Sequence, residues 1–129
     1  PFVIFKKGED VASYATASWK SLMAEAVKND GCTILLRRAY DVSEGTYYVG
    51  EANASITLDL GGFEITNSGY MLAYYGNTAA NTTFTITVKN GTFNQKAKQP
   101  FIYVDYSAAA LYKNINLIFC LDIVLRWIL

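Results

Sequence analysis

Apolar positions along the chain keep two different beats. Trp19, Leu22, Met23, Ala26 and Val27 recur at helical spacing and draw one apolar stripe, with Lys20, Ser21, Glu25 and Lys28 on the other face. The pattern predicts an amphipathic helix over 19–28, N-capped by Thr16 or Ser18 and stopped by Gly31. Ahead of it, Phe2-Val3-Ile4-Phe5 reads as a short strand ended by Lys6-Lys7-Gly8. After Gly31 the beat becomes two, the period at which strand side chains change face. Strands are predicted at 33–37, 46–49, 55–60, 63–66, 70–75, 83–88, 92–93, 101–106 and 111–119, with Asn and Gly marking the turns. Leu117 to Leu129 is mostly apolar but broken by Asp122 and Arg126, and it falls short of the ~20 residues a bilayer span needs. It reads as a buried strand or an exposed end.

The strands also repeat. Leu58-Asp59-Leu60-Gly61-Gly62-Phe63-Glu64-Ile65 matches Ile86-Thr87-Val88-Lys89-Asn90-Gly91-Thr92-Phe93 at an offset of 28, and Ile115-Asn116-Leu117 echoes Ile86-Thr87-Val88 at 29. Thr33-Ile34-Leu35-Leu36 is an earlier copy. Such spacings suit a solenoid in which each rung stacks on the one before. Leu58 and Leu60 should then lie beneath Ile86 and Val88 in neighbouring parallel strands. Ile, Leu, Val and Phe positions would face inward, and Thr, Asp, Asn and Lys would face solvent. An antiparallel immunoglobulin-like sandwich is the competing all-β arrangement, but Trp19 precedes both cysteines, which does not suit its Cys-Trp-Cys core.

Composition narrows the function classes. The chain has 129 residues, 52% hydrophobic and 15% aromatic, with 11 basic and 11 acidic side chains and no histidine. One domain with a substantial core is expected rather than a disordered chain. Balanced charge without a basic block argues against a nucleic-acid partner. Without histidine there is no Ser-His-Asp triad, no Cys-His pair and no His-ligated metal. Cys32 and Cys120 lack zinc-site spacing and sit in apolar stretches, so two free thiols are the simpler reading over a disulfide. The start at Pro1 reads as a processed product or an excised piece of a longer protein.

The rung segments carry a family resemblance. Ile56-Thr57-Leu58-Asp59-Leu60-Gly61-Gly62-Phe63-Glu64-Ile65 resembles a rung of the right-handed parallel β-helix proteins, the pectate-lyase-like superfamily. Thr85-Ile86-Thr87-Val88-Lys89-Asn90-Gly91-Thr92-Phe93 and Lys113-Asn114-Ile115-Asn116-Leu117 are similar to further rungs. The resemblance implies an all-β solenoid of about four rungs, with an N-terminal strand and capping helix in 1–31 and the rungs in 32–129. The helix would plug the open end of the stack, and Asn90 would join an interior Asn ladder, although Gly62 stands at the matching place in the preceding rung. The apolar C-terminal end would favour self-association.

Family enzymes act on polyuronates or polysaccharides with carboxylates and basic groups on the outer face. The groups available here are Asp59, Asp105, Asp122, Glu64, Lys89, Arg37 and Arg38. Asp59 is the best placed, pointing outward between two inward leucines, but its expected rung neighbour is Thr87 rather than a second carboxylate. A hydrolase needs two carboxylates, so Asp59 reads more simply as a solvated surface group. Arg37-Arg38 reads as a guard on a strand end. Asp41-Val42-Ser43-Glu44 offers too few oxygens for calcium. Strand tyrosines that face outward would give a stacking platform for sugars. Asp59, Lys89, Tyr75 and Tyr103 are therefore the candidate carbohydrate contacts, with no catalytic residue, metal or cofactor assigned. The expectation is a non-catalytic scaffold, extracellular or on the cell surface, adhesin-like and glycan-binding, without a membrane span. The alternative is a polysaccharide lyase or glycoside hydrolase whose catalytic rungs lie outside this segment.

Overall fold

A computed structural model describes residues 3–7, 10–14, 19–42, 47–48, 53–67, 72–74, 82–96, 102–104 and 113–127, with side chains described at 19–42, 53–67, 83–96 and 116–126. Strand β1 (Val3–Lys7) forms an antiparallel hairpin with β2 (Asp10–Tyr14). One helix follows, α1 (Trp19–Ala26). The remaining strands come in threes. The first coil holds β3 (Thr33–Leu36), β4 (Tyr40–Val42) and β5 (Tyr47–Tyr48), and the second β6 (Ala54–Asp59), β7 (Glu64–Asn67) and β8 (Leu72–Tyr74). The third holds β9 (Thr82–Lys89), β10 (Gly91–Gln95) and β11 (Ile102–Val104). β12 (Lys113–Phe119) and β13 (Ile123–Trp127) begin a fourth.

Each strand pairs in parallel with its counterpart one coil away. This builds the sheets β12-β9-β6-β3, β13-β10-β7-β4 and β11-β8-β5, with β1 and β2 adding antiparallel to the β3 edge of the first. Among the described residues the architecture is mostly parallel β with one short helix, and it is compatible with a parallel β-helix-like solenoid. The parallel pairing rules out the antiparallel sandwich.

Alternation along each strand explains the core. Ile56, Leu58 and Leu60 are buried, as are Phe84, Ile86, Val88 and Phe93, while the residues between them reach the surface. One sheet beyond, Ile65 stacks beside Phe93 and Phe93 beside Leu125. The Phe93 and Phe119 rings meet edge to face at 5.4 Å.

The register differs from the sequence match in one sheet. Ile56 lies beside Ile86 and Leu58 beside Val88, thirty residues apart, whereas Glu64 and Ile65 lie beside Thr92 and Phe93, twenty-eight apart. The corner after β6 is two residues longer than the corner after β9. Gly61 and Gly62 take positive φ there (61° and 83°), and Asn90 does the same alone (58°) in the next coil. Leu60 therefore does not sit under Val88. It folds into the corner over Gly91, where an added Cβ would come within 2.5 Å of the Leu60 Cβ.

The helix buries its predicted stripe. Trp19, Leu22, Met23 and Ala26 are buried in one cluster with Ile34, Leu36 and Val42 of the first coil. Helical hydrogen bonding ends sooner than the stripe suggests: Lys28 bonds to Glu25 and Asn29 to Ala26 in tighter turns, and Gly31 (φ 82°) then turns the chain toward β3. Thr16 and Ser18, the expected caps, lie outside the described residues. Asp10–Tyr14, which carries no strong strand pattern, is a strand because β1 offers it an edge. No described helix is long and apolar enough to cross a membrane. Both cysteines are free thiols, Cys32 buried with its Sγ 3.6 Å from the Ala26 carbonyl oxygen.

Candidate functional site

Surface chemistry lies on the outer faces of the parallel sheets, because the inner positions are filled. On the first sheet the outward residues form rows across the coils: Ser55, Thr85 and Asn116 in one, Thr33, Thr57, Thr87 and Ile118 in the next, Asp59 and Lys89 in a third. The Asn116 amide donates to the Thr85 hydroxyl at 3.2 Å. Beside these rows is an open hollow of about 200 Å³ lined by Asp30, Asn53, Ala54, Ser55, Thr83 and Thr85. The Asp30 carboxylate in it accepts the Ser55 backbone N–H at 2.7 Å, and the Asn53 side-chain oxygen accepts that of Thr83 at 3.0 Å. Both side chains thus tie one stretch of chain to the next.

Asp59 is half-buried and its in-register neighbour is Lys89, not Thr87; the longer Gly61-Gly62 corner accounts for that two-residue slip. The Asp59 carboxylate accepts the Gly61 N–H at 2.9 Å and the Asn90 amide at 3.1 Å. It braces the corner and holds Asn90 in its left-handed conformation. Asn90 does stand beside Gly62, whose N–H donates to its carbonyl, but its side chain is exposed and belongs to no interior ladder. Of the other expected contacts, Tyr103 lies in β11 beside Ala73, with only its backbone described, and Tyr75 lies outside the described residues. The structure therefore brings Asp59 and Lys89 together on one face and leaves Tyr103 on a different sheet.

A second polar group was not singled out from the sequence. On the outer face of the second sheet, the Glu64 carboxylate accepts from the Thr66 hydroxyl at 3.2 Å and the Asn94 amide at 3.1 Å, with Arg126 3.7 Å from its other oxygen. The Asn94 hydrogen bond holds Glu64 below the usual carboxylate range; burial opposes this, while Thr66, Arg126 and Lys96 add to it. The members come from three coils, so only the register reveals the cluster. Nearby, burial and then the Asp41 charge push the Tyr40 hydroxyl upward.

Among the described residues no three His, Cys, Asp or Glu side chains gather as a metal site would require. Comparison with protein-family models, with curated proteins and with solved structures gives no match.

Proposed function

We propose that this chain is a non-catalytic scaffold of the right-handed, pectate-lyase-like β-helix type, displayed outside the cell or on its surface, which presents its outer faces to glycans in the manner of an adhesin. Residues 1–31 serve as its cap and 32–129 as its rungs. One observation carries the reading: four described carboxylates are engaged in holding coils and corners together. Asp30 holds Ser55, Asp59 holds Gly61 and Asn90, Asp122 accepts the Asn90 N–H at 3.0 Å, and Glu64 holds Asn94. Carboxylates committed in this way support the stack rather than acid–base chemistry, for which a second, differently tuned carboxyl would be needed. The hydroxyl rows and the polar hollow offer donors and acceptors to a hydroxyl-rich ligand.

The test is retention of the protein on immobilised neutral and acidic polysaccharides, beside turnover assays on polygalacturonate and alginate with and without calcium. Retention that falls when Thr85→Val and Lys89→Ala are introduced, without turnover, is the expected result. Turnover abolished by Asp59→Ala in a folded variant would overturn the reading, as would a lack of retention on every polysaccharide.

A further inference from the structure

The hollow beside the hydroxyl rows is built where three coils begin. Asp30 stands in the turn before β3, Asn53 just before β6, and Thr83 near the start of β9. Two of its side chains commit one polar atom to the stack and keep another. Asp30 accepts the Ser55 N–H with Oδ1, and its Oδ2 has no partner among the described residues. Asn53 accepts the Thr83 N–H with Oδ1, and its Nδ2 has none among them either. The Thr85 hydroxyl accepts the Asn116 amide and still has a proton to donate. The fold thus leaves a charged acceptor and an amide donor on the wall of one hollow, each held in place by its other oxygen.

That pair matches two adjacent sugar hydroxyls. One O–H donates to the carboxylate, in a charge-assisted bond roughly twice as strong as a neutral one. The neighbouring hydroxyl oxygen accepts from the amide, which an ammonium group could not do. Charge narrows the class further. Asp30 is the one charged residue lining the hollow. A uronate or sulfated sugar would bring a second negative charge against it with no cation to offset the repulsion, and repulsion discriminates as effectively as attraction. Volume sets the extent. The hollow is about 200 Å³, below the ~300–1,000 Å³ of sites for drug-sized ligands, so it suits one ring, with the rest of a chain lying over the open face.

We propose that this hollow is the sugar subsite of the outer face, and that it takes one uncharged pyranose unit through adjacent hydroxyls held by Asp30 and Asn53. The inference rests on the glycan-binding reading and narrows it to neutral polysaccharides.

Retention of the full chain on an immobilised neutral glucan, mannan and galactan, beside polygalacturonate, alginate and chitosan, tests it. Asp30→Asn keeps an oxygen for the Ser55 N–H but loses the charge. Asn53→Asp keeps an oxygen for the Thr83 N–H but loses the donor. Ser55→Leu fills the hollow and leaves both of those backbone N–H groups in place. Asp122→Asn, beyond the far end of β12, is the control for net charge. The expected result is retention on a neutral polysaccharide that persists at about 1 M salt, where charge attraction reaches only ~3 Å. Each of the three hollow variants should weaken it at least about tenfold, and Asp122→Asn should not. Far-ultraviolet circular dichroism establishes that each variant is folded. Retention on charged polysaccharides alone would overturn the subsite and leave a glycan-binding scaffold standing. So would neutral retention that the folded hollow variants do not weaken, or that Asp122→Asn weakens as much. A lack of retention on every polysaccharide would overturn the scaffold reading itself, and the subsite with it.

Discussion

The side-chain amide of Asn67 donates to the Gln95 side-chain oxygen at 2.7 Å, with both residues fully buried between the second and third coils. They lie in register on the inner face of a sheet that also buries Val42, Ile65 and Phe93, so two polar groups are satisfied inside the core. A buried amide that loses its partner keeps the full cost of leaving water. Gln95→Ala should therefore destabilise the protein by about 1–3 kcal/mol through the hydrogen bond that the buried Asn67 amide loses, before any loss of packing. Changing both residues to leucine should cost less than that substitution, since the amide that loses this bond is removed as well. Urea denaturation of the two variants checks the difference. A double variant as unstable as Gln95→Ala would mean that the pair's packing, not its hydrogen bond, is what counts.

The alternation of Ile56, Leu58, Phe84, Ile86 and Val88 was legible because strand period and burial are the same signal. So was the stripe of Trp19, Leu22, Met23 and Ala26. The register was not. A slip of two residues keeps every side chain on its own face, so hydrophobic pattern alone does not distinguish Leu58 beside Ile86 from Leu58 beside Val88. The length of the Gly61-Gly62 corner decides it, and Leu60 is diverted over Gly91 as a result. The candidate site inherited that uncertainty: Asp59 gained Lys89 as a neighbour, while Glu64, Asn94 and Arg126, far apart in sequence, converge only once the coils stack. β2 was missed because its strand character comes from the partner edge on β1.

The helix covers the first coil through its largest buried side chain. Trp19 has no exposed surface and belongs to the same cluster as Ile34 and Leu36. Trp19→Ala should cost about 3–5 kcal/mol, the range for removing a large aromatic from a packed interior. The cavity opens at the end of the stack, so the variant should also bind an environment-sensitive apolar dye that the parent does not. Equal dye binding by both proteins would count against a capping role for α1.

The two glycines of the β6–β7 corner should respond differently to the same change. Both have positive φ, so alanine at either is strained. At Gly62 an added Cβ meets open space, and the cost should be about 1–2 kcal/mol from backbone strain alone. At Gly61 the Cβ would run into the Leu36 carbonyl oxygen of the first coil, and backbone has to move. Gly61→Ala should lower the thermal midpoint clearly more than Gly62→Ala. Equal midpoints would show that the first and second coils do not approach as closely at this corner as the structure places them.

Acid should act on the stack through Glu64. Its folded pKa is lowered, first by the hydrogen bond from Asn94, so the folded state favours the ionised carboxylate. The sign follows: the stabilisation is complete above the ordinary glutamate value of about 4.3 and disappears as pH falls through the lower folded value. Stability measured by urea denaturation should therefore fall through that acid window in the parent and fall less in Glu64→Gln, whose side chain does not titrate. Asn94→Ala, which removes the largest cause of the shift, should give an intermediate slope. Arg126→Gln should change the slope less than Asn94→Ala does, because its guanidinium is largely exposed and 3.7 Å from the carboxylate, where solvent weakens the attraction. Parallel acid limbs in the parent and Glu64→Gln would show that the three coils do not share this carboxylate.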